Sequence, residues 1–228
     1  MGLSILTRMI PLSRTCAGAL VLCASVACAQ SGSLAVTVTD NEGRAVPDAV
    51  VVAVPNDASA MAGARPRAEH LDQIDKEFVP RVKPVFVGST VSFPNTDSVR
   101  HHVYSFSPAK RFELPLYAGE SAAPVLFDKP GVVVLGCNIH DWMIGYIYVS
   151  ESPFFAKTDA DGRATIADVP ARAYTVRVWH PQLQDGEDAT RRPVDVVAGK
   201  RADMAWKVAL KPEVRVRRAP MAGHGSHY

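Results

Sequence analysis

Residues 131–149, GVVVLGCNIHDWMIGYIYV, contain two runs of β-favouring residues joined by a short polar loop. The first run is rich in valine, and the second mixes aromatic and β-branched side chains. The loop between them carries one cysteine, one histidine and one methionine, spaced as Cys137-x2-His140-x2-Met143. This pattern predicts two strands whose connecting loop can wrap several donor atoms around one metal ion.

Similar short runs recur along the chain, and turn residues separate them. Turn signals include DNEG at 40–43 and DADG at 159–162. Strands at this spacing, without helical stretches between them, predict an all-β fold, a β-sandwich or barrel. The predicted strands are Leu34–Val38, Val50–Val54, Thr90–Phe93, His101–Phe106, Gly131–Leu135, Tyr146–Val149, Tyr174–Trp179 and Met204–Leu210.

The first 29 residues have a different character. They contain Arg8 and Arg14 but no acidic residue, followed by an apolar stretch and small residues. This pattern predicts a signal peptide over residues 1–29, and therefore a protein exported to the periplasm. A lipid anchor on Cys28 is a weaker alternative, because Ser25 is a poor residue three positions before an anchored cysteine.

Removing this leader changes the composition of the chain. The full sequence of 228 residues has 25 Lys and Arg, 23 Asp and Glu, and four cysteines. The leader holds two of the arginines and three of the cysteines, so the remainder has no formal net charge and one cysteine, Cys137. A neutral chain does not indicate a nucleic-acid partner. A single cysteine cannot form an intramolecular disulfide, and an exported lone thiol needs burial or a bound partner.

A second stretch, FPNTDSVRHHV at 93–103, contains the adjacent histidines His101 and His102. Adjacent strand residues face opposite ways, so only one of the two can point at Cys137. A thiolate, two imidazoles and a more distant thioether suit copper, since sulfur favours Cu(I) and imidazole accepts both oxidation states. Zinc would need a fourth strong ligand or a water, and methionine is a poor zinc ligand.

These residues resemble the type 1 copper proteins, the cupredoxins of the plastocyanin and amicyanin kind, over about residues 68–150. The resemblance implies a Greek-key β-sandwich that binds one copper ion through His101, Cys137 and His140, with Met143 as the weak axial donor. The chain without its leader is also similar to the plastocyanin-like bacterial methylamine utilisation proteins. It departs from the cupredoxin pattern in having a second histidine where an asparagine usually follows the first ligand, and no proline in the ligand loop.

Residues 33–55 and 154–210 together resemble the carboxypeptidase regulatory-like domain, a small prealbumin-type β-sandwich. The matching residues are Gly43, Val46, Ala49, Thr158, Asp159, Gly162, Pro170 and Tyr174. We therefore expect the copper domain at 68–150 to be inserted into this second β-sandwich, with residues 211–228 forming a flexible tail. The alternative is that residues 33–55 begin a single larger sandwich.

The cupredoxin resemblance implies a one-electron carrier in which copper alternates between Cu(I) and Cu(II). Its partner would be a periplasmic redox protein such as a dehydrogenase or a cytochrome. No nucleophile, phosphate-binding loop or supported carboxylate pair indicates an enzyme. The alternative is a copper-holding or assembly protein in which the metal is structural, stored or delivered.

Overall fold

The computed structural model describes residues 1–2, 31–61, 63–119 and 123–212, and over these ranges the chain is built from β-strands. The prediction of an all-β fold is confirmed. Apart from residues 1–2, the predicted signal peptide lies outside the described ranges, and so does the predicted tail after Pro212. Within the described part of the chain, no helix has the length and apolar character needed to cross a membrane.

The described residues contain seventeen strands and two short 3-10 helices, Ala58–Met61 and Asp188–Thr190, joined by turns and loops. The strands are β1 Ser31–Asp40, β2 Val50–Pro55, β3 Ala68–His70, β4 Asp72–Ile74, β5 Glu77–Val79, β6 Val82–Phe86, β7 Ser89–Ser92, β8 His101–Ser107, β9 Lys110–Tyr117, β10 Val125–Phe127, β11 Gly131–Gly136, β12 Ile144–Ser150, β13 Phe155–Lys157, β14 Arg163–Pro170, β15 Ala173–Trp179, β16 Arg192–Asp195 and β17 Arg201–Val208.

The first sandwich consists of β1, β2 and β13–β17. One sheet has the strand order β14-β1-β17 and the other β13-β2-β15-β16. Alternate residues of β1, namely Leu34, Val36 and Val38, point into a common core with Tyr174 and Trp206. The alternation follows from the two-residue period of a strand, which turns every second side chain to the same face. That this sandwich is of the carboxypeptidase regulatory-like type remains a prediction.

The second sandwich consists of β3–β12 and contains the candidate site. Its largest sheet has the order β6-β12-β11-β8-β9, and a smaller sheet has the order β10-β7-β3. Phe93, Val103, Leu135 and Ile147 lie in its core, and Cys137 and Met143 belong to the same buried cluster. The thiol is therefore part of a packed apolar interior.

The two sandwiches meet on a third apolar cluster. Val50 and Val52 of β2 pack there with Val82 of β6 and Tyr148 of β12, and Trp179 of β15 lies against them. The ring centroids of Tyr148 and Trp179 are 5.4 Å apart. The chain leaves the first sandwich at the end of β2 and returns in β13, which pairs antiparallel with β2.

Residues 56–72 are small, polar and alanine-rich, a composition that predicts a linker or one helical turn. The helical turn is present, but the absence of a strand from this prediction needs a correction. This segment contains the 3-10 helix at Ala58–Met61, and then β3, which pairs in parallel with β7. It is polar and alanine-rich, so its composition carried no strand signal. Backbone pairing with β7, which the sequence pattern does not reveal, makes Ala68–His70 a strand.

Candidate metal centre

The cysteine and one histidine of the site come from the loop between β11 and β12. Cys137 directly follows the last residue of β11, and Met143 directly precedes the first residue of β12. The Met143 N–H donates to the His140 carbonyl oxygen over 2.9 Å, which closes a tight turn between them. Strands β11 and β12 pair in register, so the loop is held at both ends.

His101 reaches the same point from β8, the strand on the other side of β11 in the sheet. Its side chain is fully buried, and Cys137 is 3% exposed. The His101 Nδ1 atom lies 3.1 Å from His140 Nδ1, and Cys137 Sγ lies 3.8 Å from the first nitrogen and 3.7 Å from the second. The three donor atoms thus form a compact triangle, with the nitrogen–nitrogen side shorter than the two sides to sulfur, and together they are a group that could hold a metal ion.

The size of this triangle fits a metal ion. A point equidistant from the three donor atoms lies about 2.1 Å from each, comparable to the bonds of about 2.0–2.3 Å that a zinc ion, another first-row metal, makes to imidazole nitrogen and thiolate sulfur. Two imidazoles and one thiolate in a trigonal arrangement, with a thioether nearby in the sequence, form the donor set that proteins use for copper electron-transfer sites. The residues present therefore fit a copper ion.

The structure separates the two adjacent histidines. His101 points inward to Cys137 and His140, whereas His102 points to the other face, where its Nε2 atom lies 2.9 Å from Glu113 Oε1. Of the two candidates, His101 is the one placed at the thiol. This is the outcome expected from the alternation of side chains along a strand.

His140 is the partly exposed member of the group. Burial lowers its pKa, and repulsion from His101 and Lys76 lowers it further, while Asp97 opposes the shift. A lowered pKa keeps the imidazole neutral at neutral pH, which is the state that binds metal. The His140 ring also contacts Trp142, with ring centroids 5.3 Å apart.

Met143 is fully buried in the same apolar cluster as Cys137. Its position two residues after His140 and its burial are compatible with a thioether that faces the donor triangle. Its role as the axial donor remains a prediction. Cys137 has no cysteine partner in the described part of the chain.

Asp97 belongs to the candidate site, although the sequence patterns did not indicate it. Its Oδ2 atom lies 2.9 Å from Nε2 of His101, and its side chain is 8% exposed. Burial opposes ionisation of this carboxyl, but hydrogen bonds from His101 and from the N–H groups of Lys76 and Ser98 outweigh it and lower the pKa of Asp97. The one available signal was an acidic residue four positions before the histidine.

Asn95 anchors the loop that leads to His101. Its Nδ2 donates to the carbonyl oxygens of Val99 and Tyr117, each over 2.9 Å, and its Oδ1 accepts the N–H of Asp97. The residue that follows His101 is a histidine where the cupredoxin pattern has asparagine. Here the loop is held by an asparagine six positions before His101.

No protein-family model matches the chain, and no curated protein matches its sequence. Among solved structures, the chain is similar to a copper-containing nitrite reductase from Thermus scotoductus SA-01, at 30% identity and a TM-score of 0.36. That match covers 43% of this chain and only 27% of the nitrite reductase chain.

Two smaller proteins are also similar to this chain. A purple cupredoxin from Nitrosopumilus maritimus matches at 22% identity and a TM-score of 0.29, over 51% of this chain and 98% of that one. A reduced amicyanin variant matches at 23% identity and a TM-score of 0.33, over 45% and 99%. These TM-scores are low, and it is the distances and burial at His101, Cys137 and His140 that indicate a metal site.

Proposed function

We propose that this protein is an exported type 1 copper protein that acts as a one-electron carrier. The observation that carries the proposal is the triangle of His101 Nδ1, Cys137 Sγ and His140 Nδ1, with sides of 3.1, 3.7 and 3.8 Å. Copper, when bound there, supplies a one-electron couple between Cu(II) and Cu(I). The proposal includes Met143 as a weak fourth donor.

The scaffold supports electron transfer because it holds the donors in place. His101 begins β8, Cys137 follows β11 without an intervening residue, and Asn95 and Asp97 brace the loop before His101. Donors fixed in this way keep the same arrangement in both oxidation states. The energy needed to rearrange them on each electron transfer is therefore small.

The proposed route for the electron is the exposed edge of His140. Ile139 beside it is 47% exposed, and Trp142 contacts the His140 ring. A small apolar surface around a redox group suits a transient complex, which typically buries less than about 1,200 Å². The proposed partner is a periplasmic redox protein such as a dehydrogenase or a cytochrome.

We further propose that the protein is a carrier and not an enzyme. His101 and Met143 are fully buried and Cys137 nearly so. A catalytic metal site keeps one coordination position open for water or substrate. A donor set enclosed to this extent is better suited to passing electrons than to binding a substrate at the metal.

Voltammetry of the copper-loaded protein, together with metal analysis before and after reduction, tests the carrier function. We expect a reversible one-electron wave, with the copper retained in both oxidation states even when a Cu(I) chelator is present. Copper that leaves readily on reduction would contradict the carrier function and favour storage or delivery. The His102→Ala variant is the matched control, since His102 faces away from the donor triangle.

A further inference from the structure

Asp97 connects the imidazole of His101 to a neighbouring hairpin. Strands β4 and β5 form this hairpin, and its turn residues are Asp75 and Lys76. The Oδ2 atom of Asp97 accepts the Lys76 N–H over 2.7 Å and lies 2.9 Å from His101 Nε2. One carboxylate oxygen thus bridges the backbone of the turn and the buried histidine.

The carboxylate fixes which nitrogen of His101 carries the proton. An ionised carboxylate only accepts hydrogen bonds, so Nε2 of His101 must be the donor. The other nitrogen, Nδ1, is then left with a free lone pair, and it is this atom that faces Cys137 and His140. Hydrogen bonds of this kind orient a metal-binding histidine and make it a stronger donor.

The charge of Asp97 acts over a short distance in a dry environment. The side chain of Asp97 is 8% exposed and that of His101 is fully buried. Water screens little of the electrostatic interaction between such groups. A negative charge next to His101 therefore interacts with an ion held by the donor triangle. It interacts more strongly with a doubly charged ion than with a singly charged one.

We propose that Asp97 is a positioning residue for His101, and that its negative charge stabilises Cu(II) over Cu(I) and so lowers the reduction potential of the site. This inference rests on the proposed function, because it concerns a copper ion held by His101. Asp97 contacts the proposed ligand His101 and would not itself bind the metal.

The test compares the Asp97→Asn and Asp97→Ala variants with the unaltered protein. Asparagine can still accept the hydrogen bonds of His101 Nε2–H and Lys76 N–H through its one carbonyl oxygen, although it loses the bond that Ser98 N–H donates to Oδ1. It therefore removes the charge and keeps the contact with His101, whereas alanine removes both. We expect Asp97→Asn to lower Cu(II) affinity by about 10–100-fold, with a smaller loss for Cu(I). Each tenfold difference between the two losses raises the midpoint potential by about 59 mV for a one-electron couple.

The Asp72→Asn variant is the control. Asp72 also lies next to this loop, where it accepts hydrogen bonds from the backbone and hydroxyl of Thr96, but it is not hydrogen-bonded to a histidine. It changes the net charge equally, so a larger effect in Asp97→Asn isolates the contact with His101. If Asp97→Ala fails to fold, Asp97→Asn carries the test alone.

The outcomes separate this inference from the proposed function. A potential and affinity in Asp97→Asn that equal those of the unaltered protein, or that match those of Asp72→Asn, would overturn the role of Asp97. Absence of a copper–thiolate absorption band in the unaltered protein would instead remove the proposed function itself.

Discussion

His101 and His102 are neighbours in the sequence but have different surroundings. His101 is buried against Cys137, whereas His102 pairs with the exposed carboxylate of Glu113. The alternation of side chains along a strand separates the two rings. The environment on each side of β8 then decides which of them can serve as a metal ligand.

Substitution of the two histidines should therefore give opposite results. We expect His101→Gln to abolish the intense visible band of the copper-loaded protein, because one of the three strong donors is lost. His102→Gln should keep the band and its position. Absorption spectra after titration with Cu(II), with far-UV circular dichroism to verify folding, make the comparison. Loss of the band in His102→Gln alone would contradict the assignment.

At the residue scale, much of the site could be predicted from the sequence. The spacing from Cys137 to Met143 identified a loop able to surround an ion, and strand alternation required that one histidine of the pair point away. The contact of Asp97 could not be predicted, because it depends on the loop around Asn95 bringing a carboxylate to the Nε2 atom of His101. Such a contact is set by tertiary structure.

At the scale of elements, the β4–β5 hairpin is placed by its contact with β12. Phe78 of β5 is buried directly over Gly145 of β12, where an added Cβ atom would lie 2.8 Å from the Phe78 Cβ. That atom is next to the backbone and cannot rotate away. The missing side chain at Gly145 therefore allows the hairpin to pack close to the sheet.

A Gly145→Ala substitution should destabilise the protein by about 1–3 kcal/mol, because overpacking pushes the hairpin away from β12. Gly136→Ala is the matched control, since its Cβ would meet the far end of the Tyr104 ring, which can move. We expect that variant to cost less than about 1 kcal/mol. Urea denaturation measures both, and equal losses of stability would refute the proposed clash.

The hairpin itself gave no clear signal in the sequence. Asp75 and Lys76 both have positive φ, 52° and 60°, the backbone conformation of a tight two-residue hairpin turn. Asparagine and glycine usually occupy such positions, and here neither is present. β9, at Lys110–Tyr117, was missed for another reason, since its sequence contains three charged residues and a proline, which are unfavourable inside a strand. By contrast, valine-rich strands such as β2 and β11 were predicted within one or two residues.

At the scale of the whole molecule, a polar cluster joins the two sandwiches beside the apolar junction. Arg177 of β15 donates to Glu187 and to Glu151, each over 2.5 Å, and Glu151 directly follows β12. The hydroxyl of Tyr148 donates to Glu187 as well. Burial, together with the charge of Glu187, raises the pKa of Tyr148, so this phenol stays protonated.

An Arg177→Met substitution should lower the free energy of unfolding by roughly 1–3 kcal/mol, because it leaves two carboxylates without their cation. The cost stays below that of a fully buried pair, since Glu151 and Glu187 are 35% and 23% exposed. Arg201→Met, which removes an exposed pair, should change stability by less than about 0.5 kcal/mol. Thermal unfolding followed by tryptophan fluorescence compares them, and no difference would argue against this role of Arg177.

The proposed copper site lies in the second sandwich, and Arg177 of the first sandwich bridges to it. We therefore expect the visible spectrum of copper-loaded Arg177→Met to be unchanged. The contacts between the two sandwiches could not be predicted from local sequence patterns. The pairing of 33–55 with 154–210 inside the first sandwich had one indication in the sequence, the similarity of both segments to one small domain.

The most direct test of the central claim is the visible absorption spectrum of the purified protein titrated with Cu(II). We predict an intense thiolate-to-copper band that saturates at about one equivalent of copper. The band should be absent from the Cys137→Ser variant, since a hydroxyl cannot replace the thiolate. No intense band in the unaltered protein, or its persistence in Cys137→Ser, would contradict the assignment of His101, Cys137 and His140 as a copper site.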